Sequence, residues 1–327
     1  MRAVVIEEFG TVEVLRLREL PEPQPGPGQV SVDVAHAGVN FADVKARSTG
    51  YRVTDLPFVP GLEVSGLIRA LGEGVTGLRI GQPVVATLDG GGYAEVALAD
   101  ADRTFAVPEG LDLRAAAALL TVVSTGYALI HDAGRLRPDE SVLVQGAAGG
   151  VGTVLGQIAR LAGASKVYGV VSHPDKARYA LEFGYDEVFV GDDFDRQLAE
   201  ATGGRGVDLA LDPVGGETWR RSLASLAHYG RLVSYGNAGD AEPWSAGFAE
   251  LAGRGVSVSA FSILTLAGTD PARLRQLSTA ALELAADGGI RLPVTAEYGL
   301  DRVADAHRLI EGRSSTGKLL LRVPETD

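Results

Sequence analysis

The stretch Ser141–Gly152, SVLVQGAAGGVG, decides the fold. Val142, Leu143, Val144 and Gln145 read as a short buried strand, a glycine-rich turn follows, and a helix begins near Val151. Gly146, Gly149 and Gly152 stand three apart. A turn of this kind asks for a residue that tolerates positive φ, a backbone that can approach a pyrophosphate without a Cβ, and a helix packed closely on its strand. The free N–H groups at the positive end of such a helix then suit a diphosphate. The spacing is G-x-x-G-x-x-G rather than G-x-G-x-x-G, so its weight comes from context; a tight turn without ligand is the alternative. Downstream, strand-like Val167–Val171, Glu187–Val190, Val207–Asp212, Arg231–Tyr235 and Val256–Ala260 alternate with helical spacing, as in Val151–Ala162, Asp175–Phe183 and Gly216–Ala227. That grammar predicts a doubly wound parallel sheet binding a dinucleotide.

Upstream the pattern differs. The first ~110 residues read as short strands: Val30, Val32 and Val34 alternate with Ser31, Asp33 and Ala35, and the run from Pro83 to Leu88 is closed by Gly90, Gly91 and Gly92. PEPQPGPG, Pro21 to Gly28, is a stiff connector. From Leu111 the helical and alternating character takes over. The last sixty or so residues are mixed, with helices near Pro271–Asp287 and Asp301–Glu311 and strands near Val294 and at Lys318–Val323. A chain of 327 residues predicts two domains.

Composition narrows the chemistry. With 30 Lys and Arg against 42 Asp and Glu the net charge is −12, which disfavours nucleic acid or an acidic membrane as partner. Zero cysteines exclude disulfides, thiolate nucleophiles and thiolate zinc sites, and the five histidines, at 36, 131, 173, 228 and 307, share no metal-ligand spacing. The N-terminal MRAVVIEEFG lacks a signal-peptide core, and Ala115 to Ile130 is too short to span a bilayer, so a buried helix and a cytoplasmic protein are expected.

Three further blocks carry a family likeness: AGVNFADVKARSTGY (Ala37 to Tyr51), PGLEVSG (Pro60 to Gly66) and DPVGGETWRRSLASLAHYGRLVSYGN (Asp212 to Asn237). With GAAGGVG they resemble the zinc-independent quinone oxidoreductase branch of the medium-chain dehydrogenase/reductase superfamily. The resemblance implies an α/β protein: a GroES-like β-barrel catalytic domain interrupted by a Rossmann domain, with residues 1–120 and 261–327 catalytic and 121–260 holding NADPH. Zinc-dependent members carry Cys where this chain has Asn40 and His where it has Leu62, so no metal is expected.

The NAD-type acid at the end of the second strand is absent; Val171, Ser172 and His173 stand there. Lys176, matching a family residue that neutralises the 2′-phosphate, and Ser172 as hydrogen-bond donor point to NADPH. A Tyr found about sixteen residues further in some relatives is replaced by Val190, Gly191 and Asp192. The resemblance also implies Asn40 and Ser124 near the nicotinamide, Ala148, Gly149, Gly150 and Val151 at the diphosphate, and Val214, Gly236, Asn237, Phe261 and Ser262 at the carboxyl edge of the sheet.

Hydride transfer needs a group to stabilise the charge that develops on the acceptor. Asn40 can donate from its amide, Tyr51 fits a general acid or only shapes the pocket, and Asp43 orients Asn40 or Arg47 or merely forms a turn. The expected substrate is a small quinone or activated enone. A trans-enoyl or 2-alkenal reductase and a non-enzymatic NADPH-binding protein are the alternatives. Gly312–Lys318, GRSSTGK, imitates a phosphate-binding loop, but Leu319 replaces its Ser/Thr. His36 reads as a strand residue. The run VSVSA, Val256–Ala260, resembles an edge strand that pairs two copies into a homodimer.

Overall fold

The structure, a computed structural model, describes residues 1–324. In chain order its elements are β1 (Arg2–Val5), β2 (Arg16–Glu19), β3 (Gln29–Val39), α1 (Phe41–Thr49), β4 (Glu63–Leu71), β5 (Pro83–Thr87), β6 (Val96–Asp100), β7 (Thr104–Ala106) and α2 (Leu113–Ala128). Then come β8 (Ser141–Gln145), α3 (Gly150–Leu161), β9 (Lys166–Val171), α4 (Pro174–Leu181), β10 (Glu187–Val190), α5 (Phe194–Ala201), β11 (Val207–Asp212), α6 (Gly216–Ala224), β12 (Leu226–Ser234), α7 (Phe248–Ala252), β13 (Ser257–Ala260) and α8 (Ile263–Thr269). The chain closes with α9 (Pro271–Ala286), β14 (Val294–Gly299), α10 (Val303–Glu311) and β15 (Lys318–Arg322).

Two compact units result. The first holds Met1–Thr121, Gly268–Asp287 and the chain from Leu292 on; the second holds Val122–Ala267 and Gly288–Arg291. In the first, a seven-stranded sheet runs β14-β15-β3-β4-β5-β7, and β6 pairs with β3. The period-two valines of β3 face its core: Val30, Val32 and Val34 are buried, with Val64, Ile68, Val84, Leu319 and Leu321 packed in the same cluster. Ser31, read as the solvent side, is also buried. The pairing of the eleven-residue β3 with β4 shifts register between Ser31 and Val32, which breaks the strict alternation of faces there.

The first region departs from the all-strand expectation at two single 3-10 turns, Val12–Val14 and Ala101–Arg103, and in one α-helix. Phe41–Thr49 is a helix, and the local chemistry explains it. Asn40 and Asp43 form a reciprocal capping box, and Gly50 closes the helix in the left-handed conformation at φ 74°.

The second unit is a six-stranded parallel sheet in the order β10-β9-β8-β11-β12-β13. This is the doubly wound arrangement, and its strand order reverses between β8 and β11. Leu143, Tyr168, Phe189, Trp219, Leu223 and Leu232 are among the side chains of its core. One apolar helical stretch, Leu113–Ala133, is long enough to cross a bilayer, but 72% of its most apolar window is buried, as in a core helix.

Candidate functional site

The glycine turn lies at the carboxyl end of β8. Gly146 adopts φ 67°. A Cβ on Gly152 would stand 2.2 Å from the Gly146 carbonyl oxygen and 2.7 Å from Ala147, so the helix can return this close only without a side chain. Gly149 is the N-cap of α3; it has no side chain to cap with, and the first turn carries no acid. Thr153 is the first residue whose N–H is accepted by the helix entry, at the Gly149 carbonyl (2.8 Å). The amides of Gly150, Val151 and Gly152 therefore have no intrahelical acceptor. Three N–H groups at the positive end of a twelve-residue helix, beside buried Ala148, make an anion cradle.

The neighbouring strand ends complete that edge. Beyond β9, Ser172 is exposed, His173 caps α4 by accepting the Asp175 N–H (3.4 Å), and Lys176 sits half-buried in the first turn. Asp175 itself is turned to solvent. Beyond β11, the Asp212 carboxylate accepts the N–H groups of Val214 (2.5 Å) and Gly215 (3.0 Å), fixing the turn at the point where strand order reverses. The next turn is bound to it: Ala238 N–H donates to the Pro213 carbonyl (2.9 Å), leaving Gly236 and Asn237 exposed. The Asn237 carboxamide is engaged at both ends with the backbone of Ala241 (2.7 and 3.2 Å), so its peptide rather than its side chain is open to a ligand. Phe261 is anchored by its N–H to the Ser234 carbonyl (2.8 Å), and the Ser262 hydroxyl accepts the Thr265 N–H (3.3 Å) as α8 starts. Ser124 is buried on α2.

The first unit gathers a second constellation at the end of β3. The Asn40 N–H donates to Asp43 (2.8 Å) and the Asn40 side-chain amide donates to Glu63 (2.9 Å), while the Lys318 ammonium donates to both the Asn40 oxygen (2.7 Å) and Glu63 (2.5 Å). The other Glu63 oxygen accepts the Thr121 N–H (2.9 Å). Asp43 also accepts the Gly61 N–H (3.2 Å). Burial pushes its carboxyl up to about 7 despite those hydrogen bonds and the Lys318 charge. Behind Asp43, the buried Tyr93 hydroxyl meets His307 Nε2 (3.3 Å); burial, then the Asp43 charge, raises the Tyr93 phenol well above its usual range. Buried Arg47 bonds Glu311. Tyr51, past the end of α1, is 44% exposed. His36 lies half-buried on β3, and burial lowers its pKa.

Asn40 and Asp43 are thus brought into one hydrogen-bonded group, and Tyr51 is not part of it. Glu63 and Lys318 are additions that the motifs did not reveal. Glu63 lies inside the family block PGLEVSG, and Lys318 is the last residue of the imitation phosphate loop. The available signal was a lone cation opening the apolar run KLLL, which a strand buried on both sides would force to find an anion. Among the described residues, no three His, Cys, Asp or Glu side chains are grouped to hold a metal ion.

Comparison with known proteins agrees with both units. Residues 26–109 match the alcohol dehydrogenase GroES-like domain family, and residues 150–284 the zinc-binding dehydrogenase family. Human quinone oxidoreductase is 35% identical over 331 residues, covering 98% of this chain and 97% of its own. A mycocerosic acid synthase-like polyketide synthase of Mycolicibacterium smegmatis is 30% identical over 330 residues, covering 99% of this chain and 15% of that much longer protein. The crystal structure of Escherichia coli quinone oxidoreductase complexed with NADPH superposes with a TM-score of 0.92 at 31% identity, over 98% of this chain and all of the other. With a relative matched end to end at this identity and the same barrel and parallel sheet in place, the chain belongs to the quinone oxidoreductase branch of the medium-chain dehydrogenase/reductase superfamily.

Proposed function

We propose that this oxidoreductase uses NADPH to reduce a small quinone. The observation that carries the proposal is the uncapped, acid-free first turn of α3, reached by a glycine turn where the parallel sheet reverses its order. That cradle suits a diphosphate, and Ser172 with Lys176 beyond β9 suits a 2′-phosphate. The half-buried turn at Val214 and the exposed one at Gly236 and Asn237, with Phe261 and Ser262, offer backbone groups along the same edge for the rest of the dinucleotide. Bound there, NADPH supplies a hydride.

The chain's own residues have three tasks in this reading. Asn40 donates an amide hydrogen to the acceptor oxygen that gains charge. Asp43 holds the Asn40 backbone through its N–H and acts as a positioning group, since it is buried and aimed at peptide N–H groups. Tyr51 is an accessible phenol able to protonate a carbanion, which an enone needs and a quinone does not. A 2-alkenal or trans-enoyl reductase is the second reading, favoured by the 30% identity to a polyketide synthase. A cytoplasmic homodimer paired through the open edge of β13, where Ser257, Ser259 and Ala260 are exposed, completes the proposal.

The test is oxidation of NADPH and of NADH by the purified protein with 1,4-benzoquinone, 9,10-phenanthrenequinone and a trans-2-alkenal. Fast quinone turnover with NADPH and little with NADH is expected. Alkenal turnover alone moves the assignment to the second reading. Equal rates with both nucleotides overturn the 2′-phosphate site, and tight NADPH binding without turnover overturns the catalytic reading.

A further inference from the structure

Glu63 and Lys318 are 0% and 2% exposed, and the backbone is built to hold them against Asn40. Strand β15 pairs with β3 so that Leu319 faces Val39, which sets Lys318 beside Asn40 at the strand's end. Strand β4 pairs with β3 so that Val64 faces Ala37, which lays Glu63 across Gly38. A Cβ on Gly38 would stand 2.2 Å from the Glu63 carboxylate oxygen and 2.6 Å from its Cγ and Cδ. The glycine is the space the carboxylate occupies.

The chemistry of the three side chains is selective. An ammonium only donates and an ionised carboxylate only accepts, whereas a carboxamide has one end of each kind. Lys318 donates to the Asn40 oxygen and Glu63 accepts from its nitrogen. Turning the amide over would set donor against donor and acceptor against acceptor, so the pair admits a single orientation. One Asn40 amide hydrogen goes to Glu63, and the second has no partner among the described residues on a side chain that is only half-buried. A cation bonded to the carbonyl end also draws electrons from the amide nitrogen, which strengthens its remaining N–H as a donor. Burying an ion pair is a weak means of stabilising a fold, so its presence here points to the amide it holds.

We propose that Lys318 and Glu63 are positioning residues that fix and polarise the Asn40 carboxamide, so that its second N–H is held ready for the oxygen of the electron acceptor. This rests on the reading of Asn40 as that donor.

The sequence supplies a direct probe: Asn40 and Asn237 are its only asparagines. In protein labelled with 15N-asparagine, two side-chain amide pairs are expected, with the Asn40 hydrogens dispersed and slow to exchange and those of Asn237 serving as control. In K318M/E63Q, which removes both buried charges together, and in G38A, which keeps both but displaces Glu63, the Asn40 pair should shift and exchange faster while the Asn237 pair stays in place. With NADPH and 1,4-benzoquinone, N40A should lower kcat by ~10²-fold, K318M/E63Q should approach that loss with the KM for NADPH within about twofold, and N40A added to the double variant should cost little more. Asn40 hydrogens that exchange as freely as a solvated amide in the unaltered protein overturn the proposal without any variant. So does a folded K318M/E63Q or G38A protein that keeps kcat within about threefold while N40A loses it. Absence of quinone turnover by the unaltered protein removes the donor reading instead, and the amide spectrum still decides whether the clamp exists.

Discussion

Replacing His307 by Phe should make the protein more resistant to acid. The His307 ring is fully buried, Nε2 lies 3.3 Å from the Tyr93 hydroxyl, and Nδ1 has no partner among the described residues. Burial first, and the Arg47 charge second, push the imidazole down to about 3 from 6.5. A base held below its unfolded value costs stability in acid: below pH 6.5 the unfolded chain takes up a proton that the folded chain refuses until about pH 3. Each pH unit across that window removes about 1.4 kcal/mol, for a total of about 4–5 kcal/mol. Asp43 works in the opposite sense. Its carboxyl sits at about 7 against 3.8, so its contribution is fully present below pH 3.8 and is lost as pH rises to about 7, a change of about 4 kcal/mol. Between pH 3.8 and 6.5 the two slopes offset each other. In H307F only the Asp43 slope remains. Near neutral pH the variant should be weaker by about 1 kcal/mol, having lost the Tyr93 hydrogen bond. Urea unfolding of both proteins at about pH 4, 5, 6 and 7 should show the difference moving in favour of H307F by about 3 kcal/mol between pH 6.5 and about pH 4. A difference that does not change with pH would refute the assignment of a buried neutral His307.

Three further outcomes are expected. Gly152→Ala places a methyl 2.2 Å from the Gly146 oxygen, so it should lower stability by about 1–3 kcal/mol and weaken NADPH binding, read by thermal melting and fluorescence titration; unchanged affinity would show that the close approach is dispensable. Lys176→Ala should raise the KM for NADPH about tenfold and leave that for NADH in place, with the gap narrowing as salt is added. Tyr51→Phe should lower alkenal turnover by ~10²-fold or more and leave quinone turnover near its starting value; an equal effect on both acceptors would remove the phenol as proton donor.

The parallel sheet was legible because buried strands and their helices repeat one local pattern: β8, β10 and β11 begin and end where their apolar runs do. The apolar run places the start of strand β12 at Arg231, but it begins at Leu226: its pairing with β11 jumps from Leu226 to Arg231 across a bulge in which Tyr229 takes the left-handed φ of 61°. Helix α1 was hidden by its low apolar content, although Asn40, Asp43 and Gly50 wrote its start and stop in capping chemistry. Asn40 was found through the family blocks, but its two charged partners lie 23 and 278 residues away, and only strand register brings them together. The engagement of Asn237 with Ala241 is similarly a matter of loop geometry that no spacing encodes.

The chain leaves its first unit after Thr121, returns for Gly268–Asp287, and returns again from Leu292. Strand β15 stands between β14 and β3 and is made after the other strands of that sheet. On a ribosome, β3 and β4 emerge some 250 residues before the lysine that neutralises Glu63. Until then one flank of β3 lacks its neighbour and a carboxylate destined for the interior lacks its counter-charge. Closing this sheet and neutralising its interior carboxylate are therefore one late event, because Lys318 opens the strand that does both.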